Sequence, residues 1–172
     1  VDPDLLTLFH EPEYLRLLEI AGRGEVRLEM LERGLGTADT PILKGIYDWS
    51  LQAAGATHAA MQEILSGRAR TAFNPLGGFH HAMPGNAEGF CYVNDIAVAI
   101  LDALRCAPDI RIAYVDFDAH HGNGVQAAFY RDPRVLVISV HETGRTLYPW
   151  SGHENEIGEG EGRGFTVNFP LE

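Results

Sequence analysis

Positive charge is scarce in this sequence. Thirteen Lys and Arg residues stand against 24 Asp and Glu, a formal net charge of −11. A surface that negative is repelled by a phosphate backbone, which argues against direct nucleic-acid binding and against docking on an anionic membrane, while tolerating a cationic substrate. Solubility alone accounts for the charge equally well. Cysteine is scarce too: Cys91 and Cys106 lie too far apart for a CxxC motif and are too few for a disulfide framework, which points to a reducing, cytoplasmic compartment. Long apolar runs are lacking. The longest, around Ile96 to Leu104, is broken by Asp102 and is too short to span a bilayer. The opening Val1-Asp2-Pro3-Asp4 has no basic segment and no apolar signal core. What is present suits an ordinary globular protein, since 45% hydrophobic and 22% charged residues over 172 positions are enough to bury one sizeable core.

No internal repeat and no Pro/Ser-rich linker divides the chain, so it reads as one domain, mainly helical over 1–70 and sheet-forming over 71–172. Apolar residues from Leu5 to Ile20 predict a helix, a turn at His10-Glu11-Pro12, and a second helix ending near Gly22. Thr40-Pro41 offers a cap and a first helical residue for an amphipathic helix reaching Leu65, stopped by Ser66-Gly67. Thr71 to Asn74 reads as a short strand running into a Gly77-Gly78 loop. Asn94 or Asp95 can cap a largely buried helix through Leu104. Arg111 to Phe117 reads as a central strand of a parallel sheet, apolar on both faces. A short helix, Val125 to Tyr130, and a second buried strand, Arg134 to Val140, complete a βαβ unit. The fold class is therefore α/β, a mostly parallel sheet flanked by helices. Gly144 to Gly164 reads as a solvated acidic loop, since its glycines match no phosphate-binding pattern.

The strongest chemical signal is Asp116-Phe117-Asp118-Ala119-His120-His121-Gly122-Asn123-Gly124, at the carboxyl end of the predicted central strand, where open α/β sheets place ligands. In an extended chain Asp118 and His120 share a face with Cα atoms about 7 Å apart, close enough to meet on one ion, whereas Asp116 and His120 are about 13 Å apart. Asp118 and His120 are therefore expected as metal ligands, with Asp116 behind them. A carboxylate and an imidazole suit Zn²⁺ and make half of a four-coordinate site. Taken alone, the stretch reads as well as a strand end whose Asp and His cap a neighbouring loop. The second signal is Gly77-Gly78-Phe79-His80-His81. Adjacent histidines seldom share a metal, but two of them on a tight loop can present paired bases to one substrate. Taken alone they read better as loop histidines bonded to backbone. Phe90 could wall an apolar slot or serve as a core residue, and Cys91 reads as a small buried hydrophobe.

Together, GGFHHAMPGNAEGFCYVNDIAVAI, RIAYVDFDAHHGNGVQAAFY, RVLVISVHE and IGEGEGRGFTVNFPL resemble the zinc-dependent histone deacetylases, most closely their bacterial acetoin-utilization relatives. The likeness is dense from about Thr71 to Leu171, and FHEPEYLRLL and GLGTADTPILKGIYD carry a looser one toward the start. It implies a zinc amidohydrolase acting on an acylated lysine, a polyamine or a small amide, with Asp118 and His120 on the metal. His80 and His81 would be the acid/base pair, Asp116 orienting His80 and Asn123 standing beside His81 where some relatives have Asp. An uncharged partner leaves His81 less basic, which suits it to protonate a leaving amine. Gly89, Phe90 and Tyr148 would flank an acyl-lysine tunnel with Glu13 at its rim. Potassium would sit on Asp116, Asp118, His120, Ser139 and Val140, and a second ion on carbonyls near Phe129, Asp132, Val135 and Phe165.

The family's third zinc ligand, an Asp on a later strand, and its Tyr beside a Gly-Gly pair have no counterpart after His120, where Asp132 is the one remaining Asp. The resemblance thus implies a domain truncated at both ends, weak or absent zinc, little activity, and self-association through an exposed sheet edge. An arginase-like binuclear metallohydrolase, whose metal motif DAHH also resembles, and a catalytically inactive interaction module with the same fold are the alternatives.

Overall fold

The computed structural model describes residues 2–172, and the chain divides into two compact units, Val1–Pro108 and Asp109–Glu172. The first is helical. Asp2 caps a 3-10 helix, Pro3–Leu8, by accepting the Asp4 N–H at 3.0 Å. Helix α1, Pro12–Gly22, opens on a proline, whose missing N–H costs nothing in a first turn. It is followed by α2 (Leu28–Glu32), α3 (Ile46–Leu65) and α4 (Asp95–Cys106). α3 packs against α4 and α1 against α3. Their apolar faces close a core around Leu6, Leu18, Met30, Leu35, Ala54 and Val98. Tyr14 is fully buried there and donates its hydroxyl to the Tyr92 carbonyl at 2.5 Å. Burial also pushes the Cys91 thiol up to about 12, so this cysteine is the inert small hydrophobe expected of it.

Two expectations fail in this unit. α3 begins at Ile46, behind Gly45 in the left-handed region (φ 87°), rather than at Pro41. The Thr40 hydroxyl is committed elsewhere, to the Gly34 carbonyl and to Thr37, and so closes the preceding loop instead of capping a helix. Thr71 to Asn74 forms no strand; Asn74 instead ties the segment to α3 by donating to the Ala53 carbonyl and the Thr57 hydroxyl. Among the described residues no helix is long and apolar enough to cross a membrane.

The second unit is the predicted βαβ unit with one more strand. Strands β1 (Ile112–Asp116), β2 (Val135–Glu142) and β3 (Thr166–Leu171) form one parallel sheet in that order. Helix α5, Asn123–Phe129, makes the crossover and packs on β2. The central strand is therefore β2. Among the described residues β1 is an edge strand paired only through Ile112↔Val135 to Asp116↔Ser139. Its apolar side chains are not enclosed as expected: Val115 is 47% and Phe117 78% exposed, alongside exposed Phe169 and Leu171 on β3. One face of β2 (Val135, Val137, Ser139, His141) is buried. The acidic loop is only partly solvated. Glu156 turns inward, accepting the Gly152 and His153 N–H groups at 2.9 and 3.0 Å and the Gln126 amide at 2.6 Å.

Candidate active site

The β1 strand ends at Asp116, and the residues after it descend by side-chain-to-backbone turns rather than as an extended chain. Asp116 Oδ1 accepts the Asp118 N–H at 2.9 Å, and Asp118 Oδ1 accepts the His120 N–H at 2.8 Å. Such local bonds are what Asp side chains offer a backbone leaving a strand. The turn brings Asp118 Oδ1 within 3.0 Å of His120 Nδ1. The two groups converge as expected, but through a turn rather than through strand alternation. Neighbouring donors around a tetrahedral zinc with ligand bonds of ~2.0–2.2 Å lie about 3.3 Å apart, so this pair fits two corners of such a site. Both side chains stay open to solvent, at 52% and 38% exposure. Among the described residues no third His, Cys, Asp or Glu joins them in a group able to hold a metal. Tyr148 stands edge-on to His120, ring centroids 6.3 Å apart. Asp116 itself is buried and accepts the Tyr114 hydroxyl.

Below this pair lies a polar network that sequence reasoning missed. His121 and His141 are buried with ring centroids 4.8 Å apart. His121 bonds Ser151 Oγ and Gln126 Oε1, and Gln126 passes the chain to Glu156. His141 bonds Ser139 Oγ at 2.8 Å and the Gly152 carbonyl at 3.0 Å. Burial holds the His121 imidazole down to about 4, so it is neutral. The inward phase of His141 on β2, two residues after Ser139, was the available signal; the partners from the acidic loop gave none.

Of the residues expected around potassium, Asp116 and Ser139 are register partners on adjacent strands, with Val140 next in line. The Phe129, Asp132 and Phe165 carbonyls each accept one backbone N–H, from Asp132, Val135 and Val137. Asn123 is the first residue of α5, and its N–H donates to the His121 carbonyl at 2.8 Å.

In the first unit His80 and His81 are both buried, with ring centroids 4.0 Å apart and planes at 47°. The following chain turns tightly: Glu88 and Cys91 exchange both backbone hydrogen bonds across Gly89 (φ 54°) and Phe90 (φ 66°). Two positive φ values make this a type I′ turn, which favours Asn-Gly and penalises a large side chain. Phe90 nonetheless occupies the second position and is 68% exposed. A bulky apolar residue is thus held in a costly conformation and pointed at water. Phe90, Phe79, Tyr92, Trp49 and Ile46 line an apolar cavity of about 120 Å³. Glu13 lies on α1, exposed and bound by Arg16 through contacts of 3.0 and 2.6 Å, which hold its carboxyl below the ordinary range.

The histone deacetylase domain profile matches residues 1–172. The acetoin utilization protein AcuC of Bacillus subtilis is 43% identical over 97% of this chain, and histone deacetylase 8 of Xenopus tropicalis 41% identical over 97%. A crystal structure of an HDAC homolog complexed with SAHA superposes with a TM-score of 0.93 at 40% identity over the whole chain, which corresponds to 46% of that protein. The chain spans 43% and 45% of the length of the first two relatives. With its parallel sheet, its paired histidines and its Asp–His turn, the chain belongs to the histone deacetylase family.

Proposed function

We infer that this chain carries the catalytic half-sites of a zinc-dependent deacetylase acting on an acylated amine: an acetyl-lysine, a polyamine or a small amide. The observation that carries the reading is the approach of Asp118 Oδ1 to His120 Nδ1 at 3.0 Å, open to solvent, at the carboxyl end of a parallel strand. Asp118 and His120 would hold the ion, which when bound polarises the amide carbonyl and acidifies its water. His80 and His81 would take the water's proton and return one to the departing amine, with Asp116 and Asn123 in supporting roles. Gly89, Phe90 and Tyr148 flank the acyl chain, Glu13 lies at the rim, and potassium occupies the Asp116, Asp118, His120, Ser139, Val140 set and the Phe129, Asp132, Val135, Phe165 carbonyls. The setting is a reducing cytoplasm.

Two protein ligands bind zinc weakly, so slow turnover is expected from this chain alone. The half-exposed apolar side chains on β1 and β3 support self-association through that part of the sheet. The test is hydrolysis of an acetyl-lysine peptide with excess zinc. Slow turnover that disappears in both Asp118→Ala and His81→Ala supports the reading; turnover indifferent to both variants refutes it.

A further inference from the structure

We propose that Asp95, together with Asn94, positions the His80–His81 pair by clamping its segment from both ends. The proposal deepens the acid/base reading of these histidines and rests on it. Asp95 is fully buried at the start of α4. Its carboxylate accepts the Gly78 N–H at 3.1 Å on both oxygens, the Phe79 N–H at 2.8 Å and the Thr57 hydroxyl at 2.5 Å. The Thr57 proton has one place to go, because Thr57 Oγ receives the Asn74 amide at 2.7 Å while Asn74 Oδ1 receives the Leu76 N–H. Asn94 holds the other end, donating Nδ2 to the Ala82 carbonyl at 3.1 Å. Its own backbone N–H is fixed on His10 Nε2 at 2.9 Å. The two histidines lie between these grips.

Helix formation does not explain this arrangement. Asn94 already caps α4 by accepting the Ala97 N–H, so an acidic side chain buried beside it carries a desolvation cost that the helix does not require. Gly77 shows how closely the loop is drawn down: a Cβ at that position would lie 2.3 Å from Asp95 Oδ2 and 2.5 Å from Thr57 Oγ. Asp95 touches no reacting atom in this scheme; it acts through the backbone that carries His80 and His81.

The experiment compares the full chain, zinc-supplemented, with Asp95→Ala, Asp95→Asn and the core control Leu18→Ala. Asparagine keeps an oxygen for the Gly78 and Phe79 N–H groups but sets an amide donor against the Thr57 hydroxyl, so it should rescue in part. Expected in Asp95→Ala are faster amide exchange at Gly78 and Phe79 and loss of the His80–His81 ring contacts in NMR spectra. On an acetyl-lysine peptide kcat should fall about a hundredfold, with KM changed less than about twofold. Asp95→Asn should restore each signal in part, and Leu18→Ala should lower the Tm while leaving the ring contacts intact. Unchanged ring contacts and kcat in Asp95→Ala would overturn the proposal, as would Leu18→Ala reproducing its pattern. If Asp95→Ala does not fold, Thr57→Val removes the side-chain donor and is read the same way. Should wild-type hydrolysis be too slow to measure, exchange and ring contacts alone decide the positioning role; should it be measurable but indifferent to His81→Ala, the acid/base reading fails while the positioning role stands or falls on those two signals.

Discussion

The two half-sites are built in opposite ways. The histidine pair of the first unit is buried and gripped from both sides, by backbone N–H groups on Asp95 and by a carbonyl on Asn94. The Asp118–His120 pair of the second unit hangs on a short turn beyond a strand end and stays open to solvent. Under the proposed roles, the contrast reads as a division of labour. Groups that exchange protons with a substrate are best oriented in advance, whereas groups that receive a cation must keep donor atoms accessible to it. The same contrast separates two phenylalanines: Phe129 fills the interior of the second unit, and Phe90 is displayed at the tip of a turn that would accept a smaller residue more readily.

Substitution and pH can break this contrast. Phe129→Ala, at 1% exposure, should cost about 4 kcal/mol in chemical denaturation, from lost burial and the cavity left behind. A value under about 1 kcal/mol would mean that the second unit is loosely packed. Gly77→Ala should cost about 3 kcal/mol, because the new methyl meets a hydrogen-bonded carboxylate and hydroxyl that cannot withdraw. Wild-type stability with undisturbed Gly78 and Phe79 amide exchange would sink the idea of a tightly drawn loop.

Acidification tests the first unit through His10. Burial lowers its pKa from 6.5 to about 4, so the unfolded chain binds the proton more tightly than the folded one. Its contribution is fully present above pH 6.5, fades as pH falls, and is gone once pH passes the folded value. By pH 5 the loss is about 2 kcal/mol, read as the difference between denaturation curves at pH 7 and pH 5. His10→Gln should flatten that part of the profile; an unchanged slope would show that another group governs it. The smallest effect should come from Phe90→Asn. Relief of the left-handed strain offsets the lost apolar contact, leaving stability within about 1 kcal/mol of wild type. Binding of an acetyl-lysine peptide should weaken all the same, and a large stability loss would return Phe90 to the core.

Much of this was legible in the sequence because it is local. The Asn94 cap, the helix that follows the turn at His10-Glu11 and ends at Gly22, the βαβ order and the Asp–His spacing all follow from residues close together in the chain. What escaped depends on distant partners. Arg111 to Phe117 has the composition of an enclosed strand, but enclosure is decided by what packs on it, and here β2 holds the centre. Thr40 looked like a helix cap until the Gly34 carbonyl claimed its hydroxyl. Glu156 looked like one more solvated acid, and Asp95 like a spare cap; the Gln126 amide, 30 residues away, draws in the first, and the Gly78 and Phe79 N–H groups hold the second.

The central proposal is that Asp118 and His120 receive a cation. Cobalt(II) in place of zinc tests it directly, because its paramagnetism displaces the NMR signals of nearby protons. Displaced and broadened signals are predicted for the His120 ring and the Asp118 side chain, and their return to the metal-free positions in Asp118→Ala. Asp118 and His120 signals left unmoved by cobalt(II), or displaced equally in Asp118→Ala, would contradict it.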